Sequence, residues 1–379
     1  MKLIFAPDSF KGSMSGKRAA ELLTLAAQKV FGDCECVSLP AADGGEGTVD
    51  AVISAVGGKK ADAAVHDPLM NKISAAYGIF EDKAVIEAAA ASGLTLVPGR
   101  LRNPLNTTSY STGELIADAL KRGCREIAVA IGGSATNDGG MGCARALGVR
   151  FLDKNGAELS GCGRDLISVD RIDLSGVDPG LAKTKLTVLC DVKNPLCGKN
   201  GATLTFSKQK GATPEIRDEL ERGMCSYREV IKKQCGADCD RIEGAGAAGG
   251  LGAALKVFFG AEMRSGIETV LDLINFDRHL QNADLVVTGE GRTDSQSCCG
   301  KVMQGVGLRA KKYGVPAVGL SGSLGDGAEG LFSYGICSLM TGVDRPMELD
   351  EAMENAEPLY LNAAERMFRF IKTGMEMRG

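Results

Sequence analysis

The sequence predicts an α/β protein in which a parallel sheet is built from both chain ends and a mixed α/β domain is inserted between them. Three observations support this prediction. Strands and helices alternate at both ends, the pattern changes to hairpins in the middle, and 379 residues are too many for one ordinary core. We assign residues 1–75 and 283–379 to the discontinuous domain and residues 76–282 to the insertion. Such an insertion predicts a cleft between domains, a common place for ligand sites.

The N-terminal stretch alternates strand, loop and helix. Residues 3–6 form a short apolar run that Pro7 ends, and Ser15 is a suitable N-cap for the helix that follows. Residues 37–39 predict a second strand, and the glycine-rich run 41–48 leads into another helix. This order is typical of parallel strands covered by helices.

The middle of the chain has a different pattern. Residues 61–66 and 72–80 are two strand-like runs joined by turn-forming residues, which predicts an antiparallel hairpin, and residues 83–88 predict a third strand. Other predicted elements of this stretch are strands at 126–131, 149–152 and 185–190 and a helix at 112–122. The combination indicates a mixed α/β insertion.

The parallel pattern returns near the C-terminus. The predicted elements, in order, are a strand at 283–288, a helix at 302–313 closed by Gly314, strands at 315–320 and 335–340, and a terminal helix from Asp350. We therefore place these strands in the same sheet as the N-terminal ones.

Composition narrows the functional class. A net charge of −4 and a pI near 5.5 argue against nucleic-acid and anionic-membrane partners. The apolar run at the N-terminus is too short for a signal peptide, and no stretch approaches the ~20 apolar residues of a membrane helix. Thirteen scattered cysteines with only two histidines favour reduced thiols over a zinc or disulfide framework. A cytoplasmic protein is expected.

Five loops that follow predicted strands combine glycine with acidic, amide or hydroxyl side chains. They are residues 7–13, 42–48, 132–140, 191–198 and 288–297. Glycine lets backbone N–H groups approach an anion, hydroxyls donate to phosphate oxygens, and carboxylates bind Mg²⁺. Because ligands of open α/β sheets bind at the carboxyl ends of strands, the five loops together predict a phosphate and metal site.

Common nucleotide motifs are absent or misplaced. The run 12–17 is one residue short of a P-loop, and the G-x-G-x-x-G at 244–249 follows a polar segment instead of a strand. We interpret the latter as a small-residue segment that lets the helix at 251–259 pack closely. The run 132–136 lacks the second glycine of a nucleophile elbow, which disfavours serine hydrolysis.

Five blocks resemble the motifs of the bacterial glycerate kinase family, type I. They are residues 6–13, 42–48, 132–140, 191–196 and 288–294, and the resemblance runs over essentially the whole chain. It implies ATP-dependent, Mg²⁺-dependent phosphorylation of D-glycerate to a phosphoglycerate. No motif decides between the 2- and the 3-hydroxyl, and 2-phosphoglycerate is slightly favoured over 3-phosphoglycerate. The resemblance also implies a flavodoxin-like domain interrupted by an inserted domain, with the active site in the interdomain cleft. The expected partners are glycerate and ATP, for a monomer or small homo-oligomer. Cys298 and Cys299 depart from the small residues expected there.

Roles for the acidic and basic residues follow from the needs of phosphoryl transfer: positioning, charge neutralisation and a base for the attacking hydroxyl. Asp191 is predicted to be the base or a metal ligand, because a carboxylate buried at a strand end is costly without a task. Glu290 and Asp294 are the other predicted metal ligands. Lys11 and Arg292 are predicted to neutralise phosphate or bind the glycerate carboxylate. The predicted substrate- or nucleotide-binding residues are Asp8, Ser9, Gly44, Gly45, Glu46, Ser134, Thr136, Asn137 and Asp138.

Two other functions are compatible with the same five loops. One is a metal-dependent hydrolase or isomerase of a small phosphorylated acid, which differs from a kinase in consuming no ATP. The other is a non-catalytic ligand-binding or regulatory protein, which turnover would exclude.

Overall fold

The computed structural model describes residues 1–377, which form two compact units. The first unit contains residues 1–43, 50–57 and the chain from 266 onward, and the second contains residues 44–49 and 58–265. The last two residues, at the end of the predicted segment 283–379, lie outside the described part. The first unit is therefore built from both ends of the chain.

The strands are β1 Lys2–Pro7, β2 Glu35–Ser38, β3 Lys59–His66, β4 Lys72–Phe80, β5 Lys83–Glu87, β6 Glu126–Ala130, β7 Arg150–Leu152, β8 Arg171–Asp173, β9 Lys185–Leu189, β10 Glu262–Arg264, β11 Leu285–Gly289, β12 Arg292–Thr293, β13 Ala317–Ser321, β14 Ser323–Leu324 and β15 Ile336–Thr341. The helices are α1 Gly16–Phe31, α2 Thr48–Val56, α3 Ala89–Ser92, α4 Tyr110–Lys121, α5 Met141–Ala146, α6 Ala202–Phe206, α7 Pro214–Cys235, α8 Leu251–Phe259, α9 Gly266–Leu273, α10 Phe276–Leu280, α11 Val302–Lys312, α12 Leu349–Glu354 and α13 Ala356–Glu376.

The first unit contains a five-stranded sheet whose paired strands are all parallel. Its order is β2-β1-β11-β13-β15, which is the 2-1-3-4-5 order of flavodoxin-type sheets. The strand order reverses between β1 and β11, so the carboxyl ends of these two neighbours flank the topological switch point. In such sheets this is where ligands bind.

Helices α1 and α13 cover the first unit's sheet with apolar side chains. Ser15 caps α1 by accepting a 3.1 Å hydrogen bond from the Arg18 N–H to its Oγ, as the sequence predicts. Phe368 of α13 lies fully buried with its ring centroid 6.1 Å from that of Phe5 and 5.7 Å from that of Phe31. This packing fixes the end of β1 relative to the C-terminal helix.

The second unit contains a six-stranded mixed sheet of order β10-β9-β6-β5-β4-β3. Strands β3, β4 and β5 pair antiparallel, which confirms the predicted hairpin and its third strand, whereas β5, β6, β9 and β10 run parallel. A second apolar cluster surrounds the fully buried rings of Phe151 and Tyr227 beside α7. The insertion is thus mixed α/β, as predicted.

The boundaries between the two units differ from the predicted domain boundaries at residues 75 and 283. The hairpin strand β3 pairs along its whole length with β4, so residues 58–75 belong to the second unit. Helices α9 and α10 belong to the first unit, where Arg309 of α11 makes ion pairs of 2.8 Å or less with carboxylates of Asp272 and Asp277. A hairpin cannot be divided between two cores without breaking its ladder.

Across residues 1–377, no helix combines the length and the apolar character needed to cross a membrane.

Candidate active site

The first unit holds a cavity of about 460 Å³ at the carboxyl ends of its strands. One wall is polar and charged, and its residues are Asp8, Ser9, Lys11, Ser13, Asp43, Glu290, Arg292, Lys301 and Ser323. The rest of the lining is largely apolar and comes mainly from α12 and α13, with Val343, Leu349, Ala352, Met353, Ala356, Leu359 and Tyr360. Five predicted site residues therefore line one cavity: Asp8, Ser9, Lys11, Glu290 and Arg292.

Hydrogen bonds between successive loops hold this end of the sheet together. The Gly322 N–H donates to the Glu290 carbonyl at 3.0 Å, and the Ser323 N–H donates to the Gly291 carbonyl at 3.1 Å. A Cβ on Gly322 would lie 2.4 Å from the Gly291 oxygen, so this close approach requires glycine. These hydrogen bonds therefore hold the loops after β11 and β13 against each other at the carboxyl end of the sheet.

Asp8 directly follows β1, and its carboxyl group is half-buried. Its Oδ1 accepts a 2.6 Å hydrogen bond from the Ser9 backbone N–H. Burial raises the pKa of the Asp8 carboxyl to about 7, and the neighbouring charges of Asp43 and Glu290 also raise it, while Ser9 and Lys11 lower it. A carboxyl group that titrates near neutral pH can act as a general base under physiological conditions.

Glu290 directly follows β11 and is buried. Its Oε1 accepts hydrogen bonds from the hydroxyls of Ser297, at 2.5 Å, and Thr293, at 3.2 Å. Burial raises the pKa of the Glu290 carboxyl, whereas these hydroxyls and the Lys301 ammonium lower it. Within residues 1–377, Oε2 accepts no hydrogen bond, so one oxygen stays available to a cation or ligand.

Asp294, predicted to bind metal, caps a short 3₁₀ helix at residues 295–298. Its Oδ1 accepts a 2.9 Å hydrogen bond from the Gln296 N–H, and its own N–H donates to Ser297 Oγ at 3.1 Å. Its Oδ2 lies 3.4 Å from Nε of Arg292, whose side chain is 70% exposed. Asp294 thus stabilises the loop that carries Arg292 and does not line the cavity.

The predicted binding residues of the glycine loop 132–140 lie in the second unit. Asp138 is fully buried and accepts four hydrogen bonds, two from the N–H and hydroxyl of Ser109 and two from the N–H groups of Gly140 and Gly142. Burial raises the pKa of the Asp138 carboxyl and these donors lower it. Both of its oxygens accept hydrogen bonds from the same unit, so Asp138 stabilises the shape of the loop.

Lys210, which the sequence analysis did not single out, joins this loop from the 3₁₀ helix at residues 208–210. It is 3% exposed, and its Nζ donates to Ser134 Oγ at 3.0 Å and to the Thr136 carbonyl at 2.7 Å. Burial lowers the pKa of the Lys210 ammonium to about 8, while the Asp138 charge raises it. No local sequence pattern marks this lysine, since its burial arises only in the folded unit.

The other predicted residues of the second unit are Gly44, Gly45 and Glu46. Gly44 is buried with a φ of 88°, a backbone conformation that favours glycine, and Glu46 is exposed. A Cβ built on Gly132 would lie 3.6 Å from the Gly44 oxygen, so the two glycine loops are neighbours within this unit.

Asp191 differs from the sequence prediction. It follows β9 in the second unit but is exposed, so the premise that it is a costly buried carboxylate is wrong. The strand ends one residue before Cys190, and the chain then turns outward to the surface. The exposure of Asp191 removes the physical reason for which it was predicted to be the base or a metal ligand.

The structure also explains the G-x-G-x-x-G run. A Cβ on Gly249 would lie 2.1 Å from the Thr136 carbonyl oxygen, and one on Gly246 would lie 2.2 Å from the Pro195 oxygen. Gly249 and Ala248 also have positive φ angles. The run therefore lets the segment before α8 pack on the 132–140 loop, in agreement with the packing interpretation.

One group of possible metal ligands has its atoms within 4.8 Å of one another among the described residues, namely Cys197, Glu221 and Cys225. Burial raises the pKa of both thiols, which disfavours the thiolate form that binds metal. The carboxylates of the first unit's cavity do not form such a group of three among the described residues. They offer the oxygen ligands that suit Mg²⁺, which retains several waters and needs only one or two protein carboxylates.

Comparison with known proteins decides the family. Residues 3–372 match the sequence profile of the glycerate kinase family. The chain belongs to the glycerate kinase family. It is 46% identical to Glycerate 2-kinase of Escherichia coli (strain K12), over all of both chains, and 45% identical to Glycerate kinase of Halalkalibacterium halodurans, over 96% of this chain and 97% of that one.

A solved structure agrees with this assignment. A glycerate kinase 2 structure from Salmonella typhimurium LT2 superposes with a TM-score of 0.91 at 42% identity, covering 99% of each chain. The predicted fold class is confirmed, and the chain is an enzyme that acts as a glycerate kinase on small-molecule substrates.

Proposed function

We propose that this member of the glycerate kinase family transfers the terminal phosphoryl group of ATP to the 2-hydroxyl of D-glycerate. The observation that carries the assignment of the site is the cavity at the β1/β11 switch point. It combines a carboxyl group whose pKa is raised to about 7, three cationic side chains and an apolar wall. Phosphoryl transfer needs these elements: a proton acceptor, charge neutralisation and a surface for the nucleotide.

Asp8 is the proposed base. The 2-hydroxyl would pass its proton to an Asp8 carboxylate oxygen as the hydroxyl oxygen attacks phosphorus. Asp8 replaces Asp191 in this role because Asp8 is half-buried, has its pKa shifted toward neutrality and lies beside cationic groups, whereas Asp191 is exposed. The exposed Lys11 and Arg292, with Lys301, would neutralise the charge of the transferred group.

The apolar wall suits the nucleotide. Leu349, Met353 and Leu359 offer a hydrophobic surface against which a flat base can pack. Phe10 and Tyr360 also line the cavity, and their rings meet edge to face with centroids 5.0 Å apart. The start of α1 lies against Asp8, since a Cβ on Gly16 would be 3.3 Å from its carbonyl carbon. A helix N-terminus in this position favours negatively charged phosphate oxygens.

Mg²⁺ would be held by Glu290 through its unengaged Oε2, with Asp43 as the second carboxylate. Both residues line the cavity, and the charges of both raise the pKa of Asp8, which indicates that negative charge is concentrated there. When bound, the ion neutralises phosphate charge. The interdomain position of the site stays a prediction from the sequence.

The test is ADP release by the purified chain with D-glycerate, Mg²⁺ and ATP, followed by NMR identification of the phosphorylated carbon. We expect ADP formation that requires D-glycerate and stops on chelation by EDTA, with phosphorus bonded at the C2 oxygen. Phosphate release from a phosphorylated acid without ATP would instead support a hydrolase. Phosphorylation at the C3 oxygen would overturn the 2-hydroxyl assignment alone.

A further inference from the structure

Lys210 is a buried cation without a direct counterion. Across residues 1–377, no carboxylate oxygen lies within the 4.0 Å of its Nζ that defines an ion pair. Its two hydrogen bonds, to Ser134 Oγ and the Thr136 carbonyl, use two of the three N–H donors of the ammonium. Asp138 acts on Lys210 only at longer range, and its own oxygens accept four other hydrogen bonds. The positive charge of Lys210 is therefore only partly compensated.

A charge buried in this way is costly unless it has a partner or a task. The neighbourhood holds further polar atoms without partners. Thr136 Oγ1, Asn137 Oδ1 and Ser207 Oγ are buried and make no hydrogen bond within the described chain, and all three residues are fully buried. Such atoms are rare in folded proteins and call for an explanation.

These unpartnered atoms belong to the two segments that Lys210 joins. Thr136 and Asn137 lie on the same loop as Ser134, and Asn137 Nδ2 donates to Thr203 Oγ1 at 3.1 Å. The Ser207 N–H in turn donates to the Thr203 carbonyl at 3.1 Å, and Ser207 immediately precedes the 3₁₀ helix of Lys210. The cation and the unpartnered polar atoms therefore form one local cluster.

We infer that Lys210, Ser134 and Thr136 form an anion subsite of the second unit, in which Lys210 positions the Ser134 hydroxyl to donate to a substrate oxyanion. Ser134 is the most exposed of the three, at 7%, and thus the one that a ligand reaches first. Because its oxygen accepts a hydrogen bond from the ammonium, its own O–H is directed to another acceptor. The inference rests on the proposed function, which supplies two anions of suitable chemistry, the glycerate carboxylate and the ATP phosphates.

Steady-state kinetics of Lys210→Met test the inference, with Lys208→Met as the matched control. Lys208 lies on the same 3₁₀ helix but is exposed. We expect Lys210→Met to raise the KM of one substrate by about 10- to 100-fold, as loss of a charge-assisted interaction does, with kcat changed less than about fivefold. The affected substrate, D-glycerate or ATP, identifies the anion. Both KM values within about threefold of wild type would overturn the inference.

Ser134→Ala is the second variant, and it tests the anion subsite if Lys210→Met does not fold. It should raise the KM of the same substrate by about tenfold. If Lys210 acts through Ser134, the double variant should be no worse than Lys210→Met alone. Additive losses would contradict the positioning role, and an unchanged KM in Ser134→Ala would overturn the inference.

A binding measurement separates this inference from the proposed function. Should the wild-type chain form no ADP with D-glycerate, the proposed function fails, and inorganic phosphate then serves as the probe. Phosphate should raise the Tm of the wild type and of Lys208→Met above that in sodium chloride of equal ionic strength, and raise the Tm of Lys210→Met by less. Equal stabilisation of Lys210→Met would overturn the anion subsite.

Discussion

Asp8 in the first unit and Asp138 in the second lie in loops of the same style, yet their surroundings differ. Asp138 is fully buried and receives four hydrogen bonds from its own unit, whereas Asp8 is half-buried, receives one from the Ser9 N–H and faces two other carboxyl groups. Burial raises the pKa of both, but only Asp8 has capacity left for a ligand. The difference shows that a glycine-rich acidic loop can serve the fold or the chemistry, and that hydrogen-bond partners separate the two cases.

The largest effect on stability should come from Asp138→Asn. The amide NH₂ would face N–H and O–H donors that now meet carboxylate oxygens, and the buried charge that favours Lys210 would be lost. We expect the free energy of unfolding to fall by about 2–4 kcal/mol. Urea unfolding at pH 7 measures the change.

The control for this substitution is Glu243→Gln in the same unit. Glu243 forms an ion pair with Lys193 in which both side chains are more than 70% exposed, so little change is expected. If Asp138→Asn unfolds at the same urea concentration as Glu243→Gln, Asp138 is not the structural carboxylate of the comparison.

A smaller effect, of opposite sign, should follow Asp8→Asn. The folded-state pKa of Asp8, about 7, exceeds the unfolded value of about 3.9, so the folded protein binds the proton more tightly. Stability therefore falls as pH rises from about 4 to 7. The asparagine variant should be more stable than wild type by about 2 kcal/mol at pH 8, after allowance for partial solvation, and equal to it near pH 4.

Thermal unfolding of both proteins without Mg²⁺ or nucleotide measures this difference. A variant that is less stable than wild type at pH 8 would mean that Asp8 is held by stabilising contacts, as Asp138 is.

The smallest effect should come from Asp294→Asn. Asparagine is also a good N-cap and retains the acceptor for the Gln296 N–H, so the loop should keep its shape. We expect kcat within about fivefold of wild type, since only the weak 3.4 Å ion pair with the exposed Arg292 is lost. A loss of 100-fold or more would restore Asp294 as a metal ligand.

Local sequence patterns predicted much of the fold. The hairpin of β3 and β4 follows from two strand-like runs joined by turn residues, and the cap at Ser15 was identified from sequence. The long helix α7 was missed, although Thr213 and Pro214 carry a helix-start signal and Thr213 Oγ1 accepts a hydrogen bond from the Ile216 N–H. The spacing of Leu220, Met224, Tyr227 and Ile231, which are four, three and four residues apart, is also typical of the buried face of a helix.

The site was less predictable, because burial and hydrogen-bond partners arise from tertiary structure. Strand-end position pointed to Asp8 and Glu290, and the structure places both in the lining of one cavity. The same criterion predicted a buried carboxylate at Asp191, which is exposed, and it could not find Lys210, which is buried by segments distant in sequence. Loop composition identifies candidates, and only the fold shows which of them remain available.

The comparison of kcat between Asp8→Asn and Asp191→Asn tests the central claim most directly. With saturating ATP, Mg²⁺ and D-glycerate, Asp8→Asn should lower kcat by at least about 100-fold, because a general base contributes roughly that much or more, and Asp191→Asn should stay within about fivefold of wild type. The reverse result, with Asp8→Asn near normal and Asp191→Asn inactive but folded, would contradict the assignment of catalysis to the first unit's cavity.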